Sequence, residues 1–253
     1  AKDDPSDDPK ARAAAHTQAD AGDFAVVHLS DSFCDEFANH LHLICMDGTA
    51  THDTVQENAA PYWWTLQLNH EQNEAMHGEY ACKKLVGGNA DFAGTGTKGK
   101  PRRIGVIVES VAETGFRTAK GIADQIKKQC GYDVVEQVNI RADDNGQSET
   151  TAILKMQQAN ATTIMMWASA APWLVEMQAA DANAYYPEWV QLNSNGIDFN
   201  TSTKTLPVQQ AAHFFGMSGW EMPRPVSSTD CFKAYRALDP ANPHDATPRA
   251  PLA

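Results

Sequence analysis

The sequence is short of what most function classes require. No apolar run approaches the ~20 residues of a membrane span, and the opening AKDDPSDD has no apolar core of a secretory leader. Positive charge is scarce: 20 Lys and Arg face 32 Asp and Glu, for a net charge of −12. The one basic cluster is Lys98, Lys100, Arg102 and Arg103, expected on a solvated linker, so the balance argues against a nucleic-acid partner. Five cysteines, Cys34, Cys45, Cys82, Cys130 and Cys231, are widely spaced, without a CxxC pair. That spacing argues against a zinc site and a thioredoxin-like motif, and the odd count leaves at least one thiol unpaired within the chain. Cys82 and Cys130 fall in helical patterns and read as small buried hydrophobes. Catalytic signatures are missing too. There is no G-x-S-x-G elbow, and Ser30 or Ser32 would need a His and an acid that the sequence does not place.

What is present begins at Arg103 to Ile140, a β-α-β unit. Ile104 to Val108 is a short apolar run of the kind buried on both faces of a parallel sheet. Phe116, Ala119, Ile122, Ala123, Ile126 and Cys130 then recur at helical spacing up to Gly131, and Val134 to Ile140 is β-branched again. The period repeats. A helix capped by Ser148 leads to a strand over Thr162 to Trp167, and a helix opened by Pro172 leads to a strand over Glu188 to Leu192. Before this unit come a helix over Pro9 to Asp20, a buried strand over Phe24 to Leu29, a helix through Phe37, and strands at His42 to Met46 and Tyr62 to Leu68. A helix from Asn69 ends at Gly87 and Gly88. After Leu192, Ala211 to Met217 suits a strand and Cys231 to Leu238 a short helix. The fold class is therefore α/β, with two doubly wound parallel-sheet lobes of which the first is incomplete. The Gly-rich stretch places the linker at 94–101, between an N-terminal lobe over 1–93 and a C-terminal lobe over 102–253.

Two motifs invite sharper readings and lose to plainer ones. Gly94 to Lys100 (GTGTKGK) satisfies G-x-G-x-x-G, but a phosphate loop of that kind follows a strand and opens a helix, and here Pro101 and a strand follow. His70, Glu71, Glu74 and His77 hint at a metal, yet the zincin spacing puts Glu74 where the second His belongs, so a solvated helix face is expected. His28, His40, His42 and His52 lack regular ligand spacing and read as structural histidines. No metal, cofactor or catalytic set is assigned.

With that alternation in place, DPKARAAAHTQADAGDFAVV, GKPRRIGVIVES, ETTAILKMQQANATTIMMWASA and AADANAYYPEWV resemble the type I periplasmic binding proteins of branched-chain amino acid ABC importers, from about Asp8 to about Asp239. The resemblance implies two lobes closing on a small polar ligand, an amino acid or related carboxylate or amide, outside the cytoplasmic membrane, and a permease as partner. Family members carry further elements at both ends, so the chain is expected to be a fragment or a subunit completed by a partner chain. Ligands of such sheets lie beyond the carboxyl ends of the strands. The candidates there are Ser30, Asp31, Ser32 and Asp47 in the first lobe, and Glu109, Thr114, Phe116, Trp167, Ser169 and Asn193 in the second. The resemblance implies hydroxyls and free N–H groups of the first loop on a ligand carboxylate, and an acid of the facing lobe, with Glu109 the candidate, on an ammonium. Trp167 is the candidate for stacking. Thr114 stands where the family commonly has an aromatic residue before Gly.

Overall fold

The computed structural model describes residues 9–28, 31–47, 60–65, 68–109, 119–141, 146–192, 200–218 and 226–238. They form two parallel sheets with separate cores.

The first lobe holds α1 (Pro9–Asp20), β1 (Ala25–His28), α2 (Asp31–Cys34) continuing as a π-helical turn (Asp35–His40), β2 (Ile44–Asp47) and β3 (Trp63–Thr65). The strands are parallel in the order β1-β2-β3. Ala15, Phe33, Phe37, Cys45 and Trp63 form the core, and a Cys34–Cys45 disulfide ties helix to sheet. Arg12 reaches from α1 to Asp35 and Glu36, both at 3.0 Å. Alternation along the strands sends Val26, Cys45 and Trp63 inward. Their neighbours Val27, Met46 and Trp64, in register across all three strands, are 66%, 40% and 55% exposed. The expectation of a buried strand over Phe24 to Leu29 is thus corrected over Ala25–His28, because among the described residues helices cover only one face.

The second lobe holds β4 (Ile104–Glu109), α4 (Ala119–Cys130), β5 (Glu136–Ile140), α5 (Gln147–Gln158), β6 (Thr163–Trp167), α6 (Ala170–Ala182), β7 (Glu188–Gln191) and β8 (Phe214–Gly216). Short helices, α7 (Asn200–Thr203) and α8 (Val208–Ala211), precede β8, and α9 (Asp230–Leu238) follows it. The five strands are parallel in the order β5-β4-β6-β7-β8. Such an order needs crossovers on both faces, and the residues supply them: β4 and β6 are buried at every position. Ile107, Ile164 and Met166 pack on one side under α5 and α6, with Ile153, Trp173 and Met177. Val106, Val108 and Met165 pack on the other under α4, with Ile122 and Ile126. Gly105 permits this closeness, since a Cβ there would lie 2.3 Å from Met156 Sδ.

One helix changes sides. α3 (His70–Tyr80), continuing as a π-helical turn (Ala81–Leu85), follows the first-lobe strands but packs on α4, and Ala81 and Leu85 join the second-lobe core. Asn69 caps α3 through a reciprocal pair with Gln72, at 2.8 and 3.2 Å. The crossing is tight at Gly78, where a Cβ would meet Gln125 Cβ at 2.8 Å. It is locked by a Cys82–Cys130 disulfide, Cα to Cα 5.8 Å, which corrects the reading of these cysteines as small buried hydrophobes. Closing 48 residues, this bond contributes about 4 kcal/mol on the chain-entropy account. Pairing of this kind depends on tertiary proximity, which spacing did not reveal.

The Gly-rich stretch is tied to the second lobe. Gly94 N–H donates to Tyr186 O at 2.9 Å, and the His213 ring lies 2.7 Å from Phe92 O. Arg102, expected in solvent, is half-buried against Glu188 in a two-point ion pair of 2.8 and 3.1 Å. Glu188 also accepts from Thr163 Oγ1 at 2.7 Å and Phe92 N–H at 3.1 Å, so a carboxylate without exposure is fully partnered.

Candidate functional site

The strand order reverses between β4 and β6, and the carboxyl ends of those two strands form the switch point where open α/β sheets bind ligands. Glu109 closes β4, and Ser169, two residues past the end of β6 at Trp167, is the N-cap of α6. Both Glu109 oxygens are engaged there. Ser169 N–H donates to Oε2 at 2.6 Å and Ser169 Oγ to Oε1 at 3.0 Å. A carboxylate at a helix start satisfies an orphan N–H and complements the positive end of the helix dipole. Glu109 thus stitches the two switch-point strands, and each oxygen retains a lone pair for a further donor.

Two more buried acids, Glu149 and Glu176, are coupled to this region electrostatically, since the charges of both Glu149 and Glu109 act on Glu176. Glu149, in the first turn of α5, accepts from Ser148 Oγ at 3.0 Å. Glu176 lies on α6 with no exposure, and among the described residues neither of its oxygens has a hydrogen bond. Burial first, and then the negative charges of Glu149 and Glu109, push its carboxyl well above the ordinary carboxylate range. Sequence reasoning missed both residues, although Glu176 falls on the same helical face as Trp173, Met177 and Ala180 and the pattern could have flagged it.

α3 covers the other flank. His77, with no exposure, sits 2.6 Å from the O of Leu192, the residue after β7, and its ring stands edge-on to Trp167 with centroids 4.9 Å apart. Burial outweighs that hydrogen bond and lowers its pKa to about 4, so the ring is neutral and donates through Nε2. The solvated face expected for this helix is corrected: His70, Asn73 and His77 are all buried, because the helix crosses to the second sheet. Trp167 is corrected with it. The ring is 1% exposed and packed against both histidines, so it serves the core instead of offering a stacking surface.

In the first lobe, Asp31 opens α2 and Asp47 closes β2, while Ser32 is 6% exposed inside α2. Asp47 is in register with His28 of β1 and Thr65 of β3, so the carboxyl ends of all three strands meet on one edge. Ser30, Thr114, Phe116 and Asn193 lie outside the described residues. The structure therefore brings Glu109 and Ser169 together. Among the described residues, no group of three His, Cys, Asp or Glu could hold a metal ion, and no helix is long and apolar enough to cross a membrane.

No protein-family model and no curated protein matches the chain. Solved structures do. The branched-chain amino acid substrate-binding protein LivJ of Streptococcus pneumoniae, in complex with isoleucine, superposes with a TM-score of 0.63 at 17% identity, over 96% of this chain and 65% of that one. The leucine-binding protein LivK of Thermotoga maritima gives 0.61 at 12%, over 92% and 63%. A substrate-binding protein of Desulfitobacterium hafniense in complex with Leu gives 0.55 at 16%, over 92% and 63%. The chain spans just under two thirds of the length of these structures, and its fold is that of the type I periplasmic binding proteins.

Proposed function

We propose that the chain is the clamp portion of an extracytoplasmic solute-binding protein, which captures a small polar molecule between two α/β lobes for an ABC importer and performs no chemistry on it. The observation that carries this reading is the switch point itself: Glu109 and the start of α6 lie side by side at the carboxyl ends of β4 and β6. The likeness to proteins solved with isoleucine and leucine supports an amino acid or related carboxylate as ligand. In this proposal Ser30, Asp31, Ser32 and Asp47 line the first-lobe edge, and their hydroxyls and neighbouring N–H groups receive the carboxylate. Glu109 receives the ammonium through its remaining lone pairs, and Thr114, Phe116, Ser169 and Asn193 are the further ligand contacts proposed in the second lobe. Because α3 packs on α4, the lobes divide between Thr65 and His70 in this proposal, ahead of the 94–101 stretch.

A thermal-shift screen of amino acids, short carboxylates and amides tests the reading. A ligand at 100 times its Kd adds about 2.7 kcal/mol and raises the midpoint. Glu109→Gln should reduce that shift for amino acids and leave it for carboxylates without an ammonium. No shift with any of these solutes on a well-folded sample would sink the clamp.

A second reading rests on the exposed stripe of Val27, Met46 and Trp64, which suits a subunit whose first sheet is completed by a partner chain. Co-purification of a second polypeptide in fixed stoichiometry favours it.

A further inference from the structure

The end of the second lobe away from the switch point carries a cavity of about 510 Å³, at the amino ends of β4 and β6. Its wall is built partly from the GTGTKGK stretch, whose phosphate-loop reading the sequence context removed. Gly96, Thr97 and Lys100 come from that stretch, Arg103 from the residue before β4, and Gln157 and Asn160 from the end of α5. No Asp or Glu lines it, in a chain whose net charge is −12.

The two cations here differ from Arg102 next door, which Glu188 consumes. Lys100 has no ion pair or side-chain hydrogen bond among the described residues, and neither does the hydroxyl of Thr97, although Thr97 is 8% exposed. Arg103 donates from Nε to Asn160 O at 3.1 Å and from Nη2 to Ala159 O at 2.9 Å. Those bonds do two things. They fix the guanidinium at the cavity edge with one nitrogen left over, and they cover the carbonyls through which the end of α5 would repel an anion. A helix end carries about half a charge, so two full cations outweigh it. Asn160 adopts φ 54° to close the helix there, a left-handed turn that Asn tolerates. Ala161, Pro101 and the Tyr185 ring, whose hydroxyl is spent on Ala161 O at 2.6 Å, supply an apolar wall.

We propose that this cavity is a second ligand site, separate from the switch point, for a small oxyanion carried on an apolar body: a carboxylate or phosphate monoester whose charged end meets Lys100, Arg103 and Thr97 while its body lies against Pro101, Ala161 and Tyr185. No helix N-terminus takes part, so the site is not a phosphate loop; side-chain cations replace it. The volume is within the range of small-molecule sites.

Isothermal titration of the whole chain with phenyl phosphate and benzoate, each against inorganic phosphate, tests it. At least one aromatic anion should bind one to one and more tightly than inorganic phosphate. Lys100→Ala and Arg103→Gln should each weaken that binding at least tenfold, and raising the salt should weaken it further. Lys100 is exposed, so Lys100→Ala should melt as the parent does, which separates loss of binding from loss of fold. The midpoint shift produced by any amino acid at the switch point should be the same in both variants. Failure of both aromatic anions to bind at millimolar concentration overturns the proposal, and so does binding that Lys100→Ala leaves unchanged.

Discussion

The two sheets of this chain use one construction to different degrees. In the second lobe five parallel strands are covered on both faces, and its central strands are buried at every position. In the first lobe, among the described residues, three parallel strands are covered on one face, and the other presents Val27, Met46 and Trp64 in a row. The difference shows what a parallel sheet needs. Its strands are apolar on both sides, so a single layer of helices stabilises half the surface the sequence has prepared. The helix that follows the first-lobe strands, α3, is spent on the second lobe, through Ala81, Leu85 and the disulfide to Cys130.

The contrast would break most sharply at Arg102. Arg102→Ala should destabilise the second lobe by about 3–5 kcal/mol, because it leaves the Glu188 carboxylate buried and uncompensated. Urea unfolding followed by tryptophan fluorescence, with Trp63 and Trp64 reporting on the first lobe and Trp173 and Trp189 on the second, should show the second-lobe transition moving alone.

Proton binding should sharpen the comparison next. Glu176 has a raised pKa in the folded state, so the folded chain holds its proton while the unfolded chain releases it above about 4.5. Second-lobe stability should therefore fall as pH rises from there. His77 acts in the opposite direction: its folded pKa of about 4 lies below the ordinary 6.5, so stability falls as pH drops through that interval. Glu176→Gln should flatten the alkaline loss and match the parent near pH 4; a variant that keeps the full alkaline slope would refute the assignment to Glu176.

The smallest effect belongs to the bare face. Trp64→Ala should change stability by no more than about 0.5 kcal/mol, as a surface change with little burial to lose. A loss of several kcal/mol in the same denaturation experiment would mean that another segment or chain covers this face in solution.

Much of this was legible in the sequence, for reasons that particular residues make plain. The helix over Pro9–Asp20 and the β-α-β unit beginning at Ile104 follow from local periodicity, Gly stops and β-branched runs, which need no knowledge of the partner surface. Trp167, His77 and Cys82 were misplaced because their positions depend on which sheet α3 joins. A helix with buried His70 and His77 on one face looks polar to any hydropathy pattern. The Glu109–Ser169 stitch lay between, since both residues were named as strand-end candidates while their bond to each other required the register of β4 against β6.

The Cys82–Cys130 bond has one more consequence, for how the molecule would respond to a protease. Everything from the π-helical turn after α3 through β4 to the end of α4 lies inside that covalent ring. A single backbone cut anywhere within it produces two polypeptides that stay joined, so the band on a non-reducing gel keeps its mass and only thiol treatment reveals the nick. The lobes would remain tethered after damage that would otherwise separate them.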